Sequence, residues 1–487
     1  MENFWDFSVW GGFNLAAVLL ISLLTASCVK KVIKPLRYSL IPTSVLAGGL
    51  LLIVSGIYRL ISGNNMFETA FFGGNGIANL EIITYHALAL GFIASGLKTN
   101  NAKMTKKRTM EIFDSGVTTV ATYLIQGIFG LGITIVAAFL VKGFFAGAGI
   151  LLPFGFGQGT GQALNYGGIF EMDFGFAGGK SFGLTIAALG FLSASIGGVI
   201  HLHILKKQGK IEVRDYAEVR RVGDGIDSSI TIQGSLDNLT VQIAIIALAY
   251  FISYLIILLL GTLVPGFKSV IYGFNFIIGV LSATLVKTVM NFLRKKEVLK
   301  REYTNNFLLT RCSNFFFDVM VTAGIAAIRF GVLKDYWGIM IILGVVGLAV
   351  TYYYNRIIAK TLFKEYEQEQ FLAMYGMLTG TASTGVILLR EIDPEFKSPA
   401  SDNLIYQTFP AIVFGFPMML IATLAPVKPF LTFVILVVFF AVMNVLLFRR
   451  QIFRKKAKAA KTDSSEAAED AAVEAVEAEA VSSDSNE

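Results

Sequence analysis

Charge is scarce in this chain. Of its 487 residues only 15% are Asp, Glu, Lys or Arg, against 54% apolar, where a soluble domain carries roughly 25% charged residues. So little charge cannot coat an ordinary water-exposed surface. Cysteine is nearly missing as well. Cys28 and Cys312 are the only two, both at or inside apolar stretches, which excludes a disulfide framework and any thiolate metal motif. Histidine occurs three times. His201-Leu202-His203 closes an apolar stretch, where an interfacial or loop pair is a simpler reading than a metal fragment, and His86 reads as a packed polar residue. No catalytic constellation is recognisable, so no enzyme is expected. Gly178-Gly179-Lys180-Ser181 resembles the end of a phosphate-binding loop, but Phe174 stands where the earlier glycine is required and no strand precedes it.

Apolar stretches of about 20 residues are abundant instead, and they set the class: an all-α polytopic membrane protein. The first stretch, Gly12 to Cys28, has no basic segment before it and no small-residue cleavage site, so it reads as an uncleaved span. The net charge is +7, yet Thr462 to Glu487 carries nine acids and no base. The remaining excess of positive charge sits in loops, where it sets topology and does not imply nucleic acid.

Lys30, Lys31, Lys34 and Arg37 follow the first span, which puts that end in the cytoplasm and the N-terminus outside. Spans at Leu40–Leu60, Ile82–Leu97 and Gly116–Val141 alternate from there, and Ser181–Leu205 ends among Lys206, Lys207 and Lys210. For both ends to fit, the segment from about 144 to 165 must enter and leave from the outer face as a re-entrant hairpin. In the second half, spans at Leu239–Leu263, Val270–Met290, Leu308–Phe330 and Tyr336–Ile357 alternate in the opposite sense. A second hairpin, about 371 to 389, then has to enter from the cytoplasm. Spans at Leu404–Leu424 and Pro429–Phe448 lead to Arg449, Arg450, Arg454 and Lys455, which marks a cytoplasmic C-terminus. The expectation is eleven spans and two oppositely entering hairpins in two inverted repeats: residues 1–205, a loop at 206–238, residues 239–448, and a tail at 449–487. Inverted repeats of this kind characterise secondary transporters. Thr160-Gly161 echoes Thr384-Gly385, and Gly96 echoes Gly324.

Each hairpin carries a glycine-dense polar run, Phe154 to Ala163 and Leu378 to Gly385; thirteen of the residues from Gly143 to Gly183 are glycine. Polar backbone at membrane depth is tolerated where protein or a water-filled cavity satisfies it, and paired interruptions in two halves point to a binding site. Gln158, Thr160, Gly161, Gln162, Thr381, Ser383, Thr384 and Gly385 are therefore candidate substrate contacts. Their amides, hydroxyls and helix N-termini suit a carboxylate without a buried charge. Small residues for close helix packing are the bland alternative. Arg390 could pair with a substrate carboxylate, or anchor at the interface or pair with Glu391 or Asp393. Asp318, inside a span, is a candidate cation ligand or proton site. Together with Asn314 and the backbone of Gly157, Gly159 and Gly380, it forms the candidate sodium set. Lys287 and Arg329, near span ends, read as snorkelling side chains. These residues leave three readings open: a cation-coupled anion symporter, a proton-coupled carrier using Asp318, and a passive channel.

Ile41-Pro42-Thr43-Ser44-Val45-Leu46-Ala47-Gly48-Gly49 resembles the IPEPVAGG opening of the bacterial sodium/glutamate symporter (glutamate:sodium symporter, ESS) family. The first hairpin is similar to that family's GGHGTG run, with Gln158 where many members have histidine, and the second to its Gly/Thr-rich counterpart. The similarity spans roughly residues 40 to 425. It implies inverted repeats of five spans and sodium-driven uptake of L-glutamate or a related carboxylate or amino acid. It also implies an elevator movement in a homodimer of the bacterial inner membrane, with sodium as coupling ion and no other cofactor. Carried onto this chain, the family's hairpin positions fall on Gln158, Thr160, Gly161, Thr381, Ser383, Thr384 and Gly385.

Overall fold

The computed structural model describes residues 4–99, 105–209, 237–299, 302–394 and 396–451. The expected acidic tail and most of the 206–238 loop lie outside them. Among the described residues there is no strand. The first half comprises α1 (Phe7–Val32), α2 (Thr43–Ser62), α3 (Gly76–Gly96), α4 (Lys106–Leu140), α5 (Leu151–Phe174) and α6 (Gly179–Lys207). The second comprises α7 (Asn238–Leu263), α8 (Asn275–Lys295), α9 (Asn306–Ala326), α10 (Trp337–Leu362), α11 (Glu367–Leu378), α12 (Ala382–Arg390), α13 (Ala400–Tyr406) and α14 (Thr408–Ala422). It closes with α15 (Pro429–Gln451).

The helix ends follow from local chemistry. Thr105, Asp237 and Asn305 accept backbone N–H groups at the starts of α4, α7 and α9, each satisfying donors the helix itself leaves free. Gly63, at φ 76°, ends α2 in the left-handed conformation that glycine adopts without strain.

Among the described residues nine helices are long and apolar enough to cross a membrane, ten if α13 and α14, bent by 50° at their junction, count as one. An all-α polytopic membrane protein is thus what the chain forms. The expected span at Leu308–Phe330 forms a helix, α9, but it is not among those nine or ten. Arg311, Asn314 and Asp318 repeat along one face of it, and all three are exposed.

Helix contacts come in matched pairs. α3 packs on α9, and α4 on α10; α2 packs on α9 as α8 packs on α3. Likewise α6 lies against α10 and α14 against α4. α15 runs along α4, with Leu436 facing Gly127 and Arg449 ion-paired to Asp114 at 2.8 Å.

Candidate functional site

Two chain reversals meet in the middle of this bundle. α5 is broken at Gly159 (φ 79°, ψ −171°), a conformation open to glycine and strained for any other residue. The rings of Phe154 and Tyr166 stack with centroids 3.7 Å apart; on a straight helix twelve residues would separate them by about 18 Å. The chain therefore doubles back at Gly159, with one limb at 151–158 and a return limb at 160–174. That limb continues past the expected Asn165 to Phe174 because Gly167 packs backbone to backbone on Gly179 and extends the contact with α6. The second reversal is the non-helical Thr379-Gly380-Thr381 between α11 and α12, whose limbs close on each other through Gly376, Gly385 and the Ala373 carbonyl.

α6 acts as a ruler for both. Its first half lies along α5, Gly183 against Ala163 and Gly155 against Ile186 and Ala187. Its second half lies along α11 and α12, with Gly197 against Tyr375, Gly198 against Leu388, and the His201 ring tilted against Phe371 at 4.3 Å. Between them Gly190 touches both Phe156 and the Thr379 carbonyl, the latter 2.7 Å from where a Cβ would stand. The reversals thus approach from opposite ends of the bundle. A Cβ on Gly159 would lie 3.4 Å from Thr381 Cγ2.

One turn of α4 ties the two tips. Tyr123 Oη donates to the Gly157 carbonyl at 3.1 Å, and Gln126 Nε2 donates to the Leu378 carbonyl at 2.9 Å and to Thr351 Oγ1 at 2.8 Å. The Leu378 carbonyl can only accept and so fixes the amide orientation; Gln126 Oε1 is therefore turned toward Gly157, and it has no partner. Nor do Gln158 Nε2 or either amide atom of Gln162, which is 1% exposed. Four of the ten buried side-chain polar atoms without a partner among the described residues therefore belong to glutamines at the first tip or facing it. A buried unsatisfied polar group costs about 1–3 kcal/mol, and such concentrations call for a specific reason. The tips also hold two helix N-termini, at Thr160 and Ala382. The latter has no side-chain cap and no acid in its first turn, so it can receive an anion.

The expected site residues separate into three groups. Gln158, Gly159, Thr160, Gln162, Gly380, Thr381 and Thr384 lie at or beside the tips; Thr160 Oγ1 donates to the Met320 carbonyl at 3.4 Å, and Thr381 and Thr384 hydroxyls are 3.4 Å apart. Ser383, half-buried, lies in the first turn of α12. Gly161 and Gly385 serve packing, against Leu88 and Ala373, and the Gly157 carbonyl is engaged by Tyr123. The structure does not bring Arg390 to the tips: it closes the far end of α12 with its guanidinium over Phe396 at 5.4 Å. Asp318 lies beside Ser44 in the first turn of α2, where Thr322 Oγ1 also donates to the Ser44 carbonyl at 3.1 Å. That face of α9 is turned to α2, whereas Met320 and Gly324 face Thr160.

Lys287 and Arg329, near helix ends, both have partners. Lys287 donates to the Lys98 carbonyl at 2.9 Å, and Arg329 pairs with Glu81 at 3.4 Å. His201 is bonded to Tyr352 and Gln368, and His86 to Tyr250. No group of three His, Cys, Asp or Glu that could hold a metal occurs among the described residues. Sequence reading missed Tyr123, Gln126, Thr351 and Asn355. The signal was there for α4, since Ser115, Thr118, Thr119, Thr122 and Gln126 recur at helical spacing through an apolar span, and all are buried. Compared with models of known families, with curated proteins and with solved structures, the chain matches none.

Proposed function

We propose that this protein is a secondary active transporter that carries a small carboxylate, L-glutamate or a related amino or carboxylic acid, in symport with sodium. The observation that carries this reading is the unspent hydrogen-bonding capacity of Gln126, Gln158 and Gln162 where two chain reversals meet. A buried orphaned amide is compensated when a polar solute supplies its partner. Helix N-termini at Thr160 and Ala382 would take the carboxylate, with the hydroxyls of Thr160, Thr381 and Thr384 around it.

In this reading α5 and the α11–α12 pair are re-entrant hairpins of two inverted repeats, entering from opposite faces. The opposite approach along α6 and the exchange of partners between the two halves support that topology. The basic loops support a cytoplasmic C-terminus and an outer N-terminus. A bacterial inner membrane, a homodimer and an elevator movement of the hairpin-bearing helices past α3 and α9 complete the proposal by resemblance to the sodium/glutamate symporters. A proton-coupled carrier built on Asp318 is less well supported, because that carboxylate is beside Ser44 rather than at the tips.

The test is uptake of labelled L-glutamate into proteoliposomes with and without an inward sodium gradient, with Thr160→Ala/Thr384→Ala protein as control. Sodium-dependent uptake that the double variant loses is the expected result. Well-folded protein that accumulates neither glutamate nor other carboxylates under either gradient would sink the reading.

A further inference from the structure

A second, separate polar site lies below the tips, between α4, α10 and α11. Thr118, Asn355 and Gln370 line a narrow cleft there, closed by Phe363 and Met374. Thr118 is two turns of α4 from Gln126, about 12 Å along the helix axis. All three polar residues are almost fully buried, at 1%, 2% and 1% exposed.

What this cleft presents is oxygen. Asn355 Nδ2 donates to Thr122 Oγ1 at 3.2 Å and to the Thr351 carbonyl at 2.9 Å, while Asn355 Oδ1 has no partner. The amide cannot be turned round. The Thr351 carbonyl only accepts, and Thr122 has committed its own proton to the Thr118 carbonyl at 2.8 Å, so a reversed amide would put oxygen against oxygen. Thr118 gives its proton to the Asp114 carbonyl at 2.7 Å and faces the cleft with lone pairs. Gln370 donates to Ser115 Oγ at 3.1 Å, and its Oε1 accepts from Asn403 at 2.8 Å with a second lone pair to spare. All three residues line the cleft, and among the described residues no donor lies within hydrogen-bond reach of Asn355 Oδ1. The nearby Asp114 carboxylate is held by Arg449 at 2.8 Å, so it does not supply the missing charge.

The cleft is too narrow for a water molecule, which removes the commonest partner for an orphaned buried oxygen. A bare monovalent ion is smaller. Hydroxyl and amide oxygens without thiolate or imidazole suit a hard cation, and a neutral donor set suits a single charge. We propose that Asn355 Oδ1, Thr118 Oγ1 and Gln370 Oε1 form a buried sodium site distinct from the hairpin tips. The site does not depend on the carboxylate reading, because it would bind sodium in the absence of any substrate.

The experiment is thermal unfolding of the purified full-length protein without substrate, as sodium chloride replaces choline chloride at constant ionic strength. The melting temperature of the unaltered protein should rise with sodium, since a ligand of the native state stabilises it by mass action. In Asn355→Leu the response should vanish or its midpoint move by more than about tenfold, while stability in choline is retained because the orphaned oxygen is gone. Thr118→Val, which keeps shape and removes one acceptor, should shift the midpoint in the same direction. Should Asn355→Leu fail to fold, radioactive sodium binding to Thr118→Val and unaltered protein decides the matter. A melting temperature indifferent to sodium, or a response that both variants keep in full, would overturn the site. Uptake measurements play no part here, so a failed carrier and a failed sodium site are told apart.

Discussion

Gly159 and Thr381 face each other at the centre of the fold, a Cβ on the first lying 3.4 Å from Cγ2 of the second. They belong to different halves of the chain and reach this point along opposite halves of α6. Neither tip is shaped by the other alone, because Tyr123 and Gln126, one turn of α4, hold the Gly157 carbonyl in one and the Leu378 carbonyl in the other.

The Gly159 backbone gives the first prediction. Its φ of 79° with ψ near 180° belongs to a region essentially reserved for glycine, and a residue forced there costs about 1–3 kcal/mol. Gly159→Ala should lower the melting temperature and reduce uptake together. Space is not the issue, since the nearest atom to the added Cβ is 3.4 Å away. An unchanged melting temperature would mean that the reversal at Gly159 is not held in this form.

Gln126 and Tyr123 should prove unequal. Tyr123→Phe removes one hydrogen bond, worth about 0.5–1.5 kcal/mol. Gln126→Leu leaves the Leu378 carbonyl and Thr351 hydroxyl without their donor, a loss of about 1–3 kcal/mol. Denaturation of both variants in the same detergent checks the order. Equal losses would show that Gln126 does not hold the second tip.

Gln162 should behave in the opposite way. Its amide is buried with neither atom partnered, so Gln162→Leu removes an unmet desolvation cost. Stability should hold or rise, while uptake falls by more than about tenfold, equivalent to about 1.4 kcal/mol of lost interaction. A destabilised variant with normal uptake would make Gln162 a structural residue and remove it from the proposed substrate site.

Much of this was legible in sequence because membrane constraints are strong. Apolar run length located the long helices, and the glycine-dense runs around Gly159 and Gly380 marked both reversals. Side-chain direction was less legible. Periodicity places Ser115, Thr118, Thr122 and Gln126 on one face of α4 but cannot say that α10 lies opposite with Thr351 and Asn355. Asp318 and Arg390 drew attention as charges within or beside spans. One faces the start of α2 and the other closes the far end of α12, distinctions that depend on neighbours far away in sequence.

Asp393, in the loop after α12, supplies a pH dependence. Burial alone would raise its pKa, but the backbone N–H groups of Ser398 (2.8 Å) and Lys397 (2.9 Å), which donate to the carboxylate, and the nearby Lys397 charge outweigh it and hold the carboxylate below its ordinary 3.8. A depressed folded-state value means the stabilisation is complete above the unfolded value and is lost as pH falls through the folded one. The base of the second reversal should therefore loosen only below about pH 4. In Asp393→Asn that acid-dependent step should disappear from hydrogen exchange of residues 391–399. A step of the same size in both proteins would assign it to other carboxylates.

Glu81 tests whether the hairpin-bearing helices move. Its side chain, 12% exposed, receives Lys180 Nζ at 2.7 Å and Arg329 Nη2 at 3.4 Å. The same contact is reinforced by the Arg329 backbone N–H, which donates to Ser181 Oγ at 3.1 Å. Glu81 belongs to α3 and Arg329 follows α9, whereas Lys180 and Ser181 open α6, so this cluster joins the two sets of helices that the elevator proposal requires to slide. Sliding must break it. Lys180 and Arg329 are 28% and 44% exposed, and partly exposed ion pairs contribute only about 0–1 kcal/mol to stability, so Glu81→Gln should melt close to the unaltered protein. Its transport should differ. Screening weakens an exposed ion pair, so added choline chloride at fixed sodium should speed uptake by the unaltered protein. Glu81→Gln should start faster and ignore the added salt. Identical rates and salt responses in the two proteins would make the cluster an ordinary surface contact and would remove the argument that α6 must part from α3 during transport.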